Sequence, residues 1–197
     1  MNRTALLALH YQNDVVHPDG KIRLGLADGD SRREPVLAAA ERLFAGARAA
    51  GVPIVHVRIA FRPDHAEVLR NGPIWDSVVA AGAVAEGSWG AQFHERLRPT
   101  PHEFVVRHSR INAFFGSPLE ETLKLLDAQN LVLAGVATNS VVEHTARHAA
   151  DMGFYVTVAA DACASSRPHL HAAALDNISL VGAVADVDAI VAGWCAA

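Results

Sequence analysis

Histidine moves protons readily near neutral pH, and this chain sets one where α/β proteins place functional groups. The apolar run Ala5-Leu6-Leu7-Ala8-Leu9 passes directly into His10-Tyr11-Gln12-Asn13-Asp14. The carboxyl end of a buried strand opens onto a cleft, so His10 is expected there, where a ring simply bonded to a nearby carbonyl is the plainer alternative to one that lines a pocket. A second apolar run, Leu131 to Ala134, leads into Gly135-Val136-Ala137-Thr138-Asn139-Ser140-Val141-Val142-Glu143-His144-Thr145-Ala146-Arg147 and a helical pattern. Such a strand-to-helix turn aims backbone N–H groups and a helix N-terminus into the same cleft, where they can stabilise negative charge. The chain has only two cysteines, Cys163 and Cys195, in no disulfide or metal-ligand spacing. Cys163 reads as a packing residue.

These groups need a rigid frame, and the hydropathy pattern supplies one. Strands are expected at Ala5–Leu9, Ile54–Ile59, Phe104–Val106, Leu131–Ala134, Tyr155–Ala159 and Leu180–Val184. Their continuous apolar character suits strands buried on both faces, as in parallel sheets. Helices are expected between them at Glu34–Ala50, Ser117–Gln129, Thr138–Met152, Arg167–Asn177 and Asp186–Trp194, with Gly51 and Gly153 as stops. Alternation of this kind implies right-handed crossovers and a three-layer α/β/α sandwich. Residues 61 to 101 exceed a plain crossover and read as an ordered excursion beside the cleft or an oligomer contact.

Composition narrows the function. The 197 residues suit one domain spanning 1–197, and 51% apolar content argues against disorder. A formal charge of −4 gives no reason to expect nucleic acid or a membrane surface as partner. No apolar run reaches the roughly 20 residues of a membrane span, and no signal-peptide layout is present. A soluble, cytoplasmic protein acting on a small molecule is the expectation.

Three motifs together resemble the isochorismatase-like superfamily, which includes cysteine hydrolases, nicotinamidases and carbamoylases. Gln12 and Asp14 match a first motif, Asp-x-Gln-x-Asp, with His10 in place of its general-base aspartate. Ala113-Phe114 and Gly116 match a second, in which His108 takes the place of a lysine. Gly135 to Asn139, Val142, Glu143, Thr145, Ala146 and Arg147 match a third, in which Val141 replaces the nucleophilic cysteine. Further likeness lies in Phe61-Arg62-Pro63-Asp64-His65, Glu86 to Gly90 and Asp161 to Ser166.

The resemblance implies a six-stranded parallel sheet of order 3-2-1-4-5-6, a cis Val136–Ala137 peptide, oxyanion-binding amides at Ala137 and Val141, and a dimer or tetramer. Apolar residues between Ile74 and Trp89 would suit the oligomer contact. It places His10 and His108 as catalytic residues, with Gln12, Asp14, Phe114, Trp89, Ala137 and Val141 around a substrate. The imidazoles could act as acid and base, and isochorismatase-type members offer a precedent for thiol-free cleavage of an enol ether. No cofactor is expected. His10, Asp14, His17 and His108 could together ligate a metal, but solvated or capping histidines explain them as well, and no metal is assigned. Ser140, one helical residue from Val141, would turn about 100° away from the pocket. Two readings stay open: a hydrolase-like enzyme with a histidine acid/base mechanism, acting on an enol ether, imine or small cyclic compound or by proton transfer or dehydration, and a catalytically silent metabolite-binding or structural member.

Overall fold

The structure, a computed structural model, describes residues 3–196. Its elements run β1 (Thr4–Leu9), α1 (Asn13–Val16), α2 (Arg33–Ala49), β2 (Ile54–Ile59), α3 (Pro73–Ala81), β3 (Phe104–His108), α4 (Leu119–Leu125), β4 (Asn130–Gly135), α5 (Glu143–Asp151), β5 (Tyr155–Ala159), α6 (Pro168–Ile178), β6 (Ala183–Ala185) and α7 (Val187–Cys195). The six strands form one sheet of order β3-β2-β1-β4-β5-β6, and every neighbouring pair is parallel. Fold class and strand order are those expected from the sequence.

Strand alternation divides the interior in two. Leu6 and Ala8 of β1 join the cluster containing Leu37, Leu43 and Phe44 of α2 and Ile190 of α7. Ala5, Leu7 and Leu9 join the opposite cluster, with Leu119 and Leu123 of α4, Ala146 and Ala149 of α5 and Ile178 of α6. Successive side chains of a strand point to opposite faces, so β1 serves both cores and carries no polar residue after Thr4. Burying each large aliphatic side chain contributes about 1.5–3 kcal/mol, which makes β1 the anchor of the sheet.

The excursion folds as a layer of its own. Pro73 opens α3, where a fixed φ and a missing N–H cost nothing, and Gly82 ends it in the left-handed region at φ 54°. Trp75, Val78, Ala83 and Val84 are buried with Ile59 and Phe61. These four apolar residues of the excursion face inward, while Trp89 at its end stays half exposed.

Most boundaries shift by one or two residues, among them β3, which runs on to His108, and three elements differ further from the sequence reading. The last strand is Ala183–Ala185 rather than Leu180–Val184, because α6 and its turn run on through Val181, whose N–H donates to Ile178 O at 2.9 Å. The fourth helix is shorter than Ser117–Gln129. The helix after β4 is not one α-helix from Thr138: a π-turn spans Thr138–Val142 before α5, with Asn139 at φ −79° and ψ 15°. Among the described residues no helix is long and apolar enough to cross a membrane.

Candidate functional site

The site forms where the sheet order changes direction. β1 pairs with β2 on one side and β4 on the other, and such switch points leave a crevice beyond the strand ends. Gly135 lets the end of β4 close on β1: a Cβ there would lie 2.3 Å from Leu9 O. His10 follows β1 with φ 59°, a left-handed conformation that histidine adopts more readily than most residues. Its N–H donates to Val57 O at 2.9 Å, which fixes the turn against β2. His108 ends β3, in register with Ile59 of β2.

Two strand ends separated by one strand thus bring two imidazoles together. His10 Nε2 lies 2.5 Å from His108 Nε2, with ring centroids 4.8 Å apart. The tautomers follow from the surroundings. His108 Nδ1 lies 3.2 Å from the carbonyl oxygen of Asn112, which can only accept, so His108 Nδ1 carries its proton. The neutral His108 then presents a lone pair at Nε2, and His10 Nε2–H donates to it. Nothing further bonds His10 Nδ1 among the described residues.

Both rings are buried, at 7% and 2% exposure. Burial first, and then the adjacent His108, holds His10 well below the usual histidine range. Burial also pushes His108 down to about 4, against the opposing bond to Asn112. The pair is therefore neutral at physiological pH, which leaves the lone pair of His10 Nδ1 open.

A cavity of about 40 Å³ opens in front of His10. Its wall includes Ile59, Trp75, Arg110, Val136, Ala137 and Ser140. The Val136–Ala137 peptide is cis, as the resemblance implied. The Ala137 N–H has no backbone acceptor among the described residues.

Several residues expected at a substrate do other work. Gln12 is fully buried: its Nε2 donates to Ile59 O and Ala91 O at 2.9 Å each, while its Oε1 accepts from Ile59 N–H at 2.8 Å. It braces β2 against the excursion and is absent from the cavity wall. Asp14 accepts from Val84 N–H at 2.7 Å and Lys21 N–H at 3.2 Å, so its carboxylate ties two loops together. Phe114 packs on His148 and Phe154, away from the pair. Trp89 is half exposed, edge-on to His17. Val141 is buried in the apolar cluster with Leu9, Val106 and Ala113, and does not line the cavity.

Ser140 departs from expectation in the opposite direction. It stands on the cavity wall because the π-turn changes the angular phase that a regular α-helix would impose. Trp75 and Arg110 complete the wall. Pro73 after Gly72, followed by Ile74, Trp75 and Val78 at helical spacing, was the signal available for the tryptophan.

The isochorismatase domain model matches residues 4–189 of this chain. The chain belongs to the isochorismatase family. Among curated isochorismatase relatives, the ureidoacrylate amidohydrolase RutB of Methylobacterium radiotolerans is 33% identical over 200 residues, covering 94% of this chain and 77% of its own length. The uncharacterized isochorismatase family protein YecD of Escherichia coli O157:H7 is 31% identical over 175 residues, covering 89% and 87%. A solved isochorismatase-like hydrolase from Alkaliphilus metalliredigens superposes with a TM-score of 0.80 at 25% identity, covering 97% of this chain and 98% of its own. A cysteine hydrolase from Pseudomonas syringae pv. phaseolicola has the same fold, with a TM-score of 0.88 at 20% identity and coverage of 98% and 93%.

Within this isochorismatase fold no thiol of the chain reaches the pair's cavity. Cys163 is buried in the apolar cluster, and burial pushes its thiol up to about 12, which favours the protonated form. Cys195 lies exposed at the end of α7. Among the described residues no three histidine, cysteine or acidic side chains gather to hold a metal ion. His17 meets the Trp89 ring edge-on and the His94 ring at a tilt, and it is not among the residues lining the cavity before His10.

Proposed function

We propose that this isochorismatase-family chain is a hydrolase that activates water with the His10–His108 pair and uses no cysteine nucleophile. The 2.5 Å contact between the two Nε2 atoms carries this reading, because it links a ring on the cavity to a second buried acceptor. A water in the cavity gives a proton to His10 Nδ1 while His10 passes its Nε2 proton to His108. The nascent hydroxide adds to the electrophilic carbon of an imine or small cyclic substrate; with an enol ether the pair's proton goes first to the β-carbon, and the hydroxide then adds to the oxocarbenium carbon so formed. The proton then returns through the same pair to the leaving atom. The Ala137 N–H, without a backbone acceptor on this wall, is the donor for the developing oxyanion. A proton-transfer or dehydration step would draw on the same groups, and the amidohydrolase relatives support hydrolytic chemistry.

One observation favours the second reading, a family member that binds without turnover. A space of about 40 Å³ holds little more than a water, whereas ligand pockets span roughly 300–1,000 Å³. A panel of enol ethers, cyclic amides and imines separates the two. Wild-type protein should turn over at least one compound, and His10→Ala should lose that activity while its circular dichroism is unchanged. Equal turnover by His10→Ala would remove the mechanism. Ligand binding with no turnover anywhere in the panel would establish the silent member.

A further inference from the structure

We propose that a separate cavity of about 340 Å³, beside α3, binds a small phosphomonoester, its phosphoryl group on Lys21 and Arg167 and its apolar body on α3. This goes beyond the hydrolase reading and does not depend on it, because binding there requires neither turnover nor the smaller void before His10.

Two kinds of segment line this cavity. Its cations, Lys21, Arg23 and Arg167, all come from the loops at residues 21–24 and 166–167. The Ser166 N–H donates to Leu24 O at 2.9 Å, which joins the two loops and gathers the cations along one edge. From α3 come Ile74, Val78 and Ala81. Ser77 of the same helix turns its hydroxyl back to Pro73 O at 2.9 Å, so α3 offers the cavity an apolar surface.

The charges at the edge are not all met. Asp28 lies 2.8 Å from Arg23 and balances it. Lys21 Nζ donates to a neutral carbonyl, Gly82 O at 3.1 Å. Among the described residues no hydrogen bond or ion pair holds the Arg167 side chain, and no acidic residue lines the cavity. Two positive charges therefore stand uncompensated on a chain whose net charge is −4.

That count selects the ligand. A phosphomonoester brings close to two negative charges and three acceptor oxygens on one small group. The guanidinium fork can take two of those oxygens while the ammonium acts as a point charge. A monocarboxylate would leave one cation unmet. A dicarboxylate would set its second charge against the aliphatic face of α3, where nothing compensates it. The volume lies within the roughly 300–1,000 Å³ of small-ligand sites, so an apolar body the size of one ring has room beside Val78.

Calorimetric titration with phenyl phosphate, benzoate and inorganic phosphate at about pH 7.5, where the ester is a dianion, tests the site. Wild-type protein should bind phenyl phosphate roughly tenfold tighter than either of the others, since benzoate lacks the second charge and inorganic phosphate lacks the body. Arg167→Gln and Lys21→Gln should each weaken phenyl phosphate roughly fivefold or more, whereas Arg23→Gln, whose charge Asp28 already meets, should cost less than about threefold. All three side chains belong to exposed residues, and thermal melts check that the variants fold. Benzoate binding as tightly as phenyl phosphate would reduce the edge to a general anion attractor and overturn the proposal. Inorganic phosphate binding as tightly would do the same by removing the role of α3. Unchanged phenyl phosphate affinity in Arg167→Gln, or no saturable binding by wild-type protein, would also overturn it. If a variant does not fold, the ranking of the three compounds on wild-type protein decides. The two readings fail separately, because this titration follows no turnover and the test of the histidine pair uses no phosphate.

Discussion

Two buried histidine sites lie on neighbouring strands of this sheet, and they are built to opposite ends. His56, within β2, has no exposure, and its Nε2–H donates to Glu103 Oε2 at 2.9 Å. Glu103 is also held by Arg48 Nε at 2.7 Å and Thr100 N–H at 2.8 Å, and the rings of Phe44 and Phe93 close on the imidazole. His10 and His108 face each other instead of a carboxylate, and a void opens before His10. Burial lowers the histidine pKa at both sites. Both His56 and His10 keep an Nδ1 without a partner, so the difference lies in access: a carboxylate and two aromatic rings seal His56 in a filled core, whereas His10 stands at a void.

The largest expected effect breaks that contrast directly. His10→Ala or His108→Ala should reduce kcat/KM by about 10²–10⁴-fold, the usual contribution of a positioned acid–base group. His56→Ala should leave kcat/KM within about threefold, because no substrate-facing atom is lost. Steady-state kinetics on any turned-over compound checks both. Comparable losses at His56 and His10 would mean that these mutations act through the fold.

Stability should rank the sites the other way. Removing His56 strips one bond from a buried carboxylate and opens a space between two aromatic rings, at a cost of about 2–4 kcal/mol. Removing His108 leaves the His10 Nε2–H without its acceptor and Asn112 O without its donor, beside a cavity that can admit water, at a cost of about 1 kcal/mol. Urea unfolding of the two alanine variants measures the difference. A larger loss at His108 than at His56 would reverse the assignment of structural and chemical roles.

The contrast was only partly legible in the sequence. Period and composition gave the strands, because a strand buried on both faces has to be apolar along its length, and the family resemblance gave their order. His10 could be placed because a cleft lies beyond the carboxyl end of such a strand. Gln12 and Asp14 could not be sorted, since a motif match does not say whether a buried amide or carboxylate meets a ligand or a backbone. Their hydrogen bonds reach residues 59 and 91, and 21 and 84, which are contacts that only the folded chain creates. Ser140 was misplaced because regular helical phase was assumed across a π-turn. Trp75 and Arg110 meet through a stack between segments far apart in the chain, and spacing carries no trace of that contact.

Acid should expose both sites, in separate windows. His108 falls from 6.5 in the unfolded chain to about 4 in the folded one, so between those values the unfolded state binds the proton that the folded state refuses. Stability is therefore unaffected above about pH 6.5 and declines as pH falls towards 4. Burial raises Glu103, but Arg48, the Thr100 N–H and His56 outweigh it and hold the carboxylate at about 2. Its contribution is present above the unfolded value of 4.5 and is lost as pH falls through about 2. Thermal denaturation from neutral pH to pH 4 should show a shallower decline in His108→Gln than in wild type. An identical decline would mean that His108 is not held neutral by burial.

The smallest expected effect concerns the neighbour that the π-turn brings to the cavity wall. Ser140 shares that wall with His10, but no hydrogen bond joins its hydroxyl to the ring. A serine nucleophile needs its base within about 2.6–3.2 Å. Under the proposed mechanism water activated at His10 Nδ1 is the attacking group, and Ser140→Ala should change kcat by no more than about threefold. Quenched reactions should give no covalent adduct by mass spectrometry. A loss as deep as that of His10→Ala, or an adduct on Ser140, would transfer attack from water to the hydroxyl while keeping the imidazole pair as base. The comparison with His56 would survive either result, because both mechanisms need a neutral ring at a void and neither can use one sealed against a carboxylate.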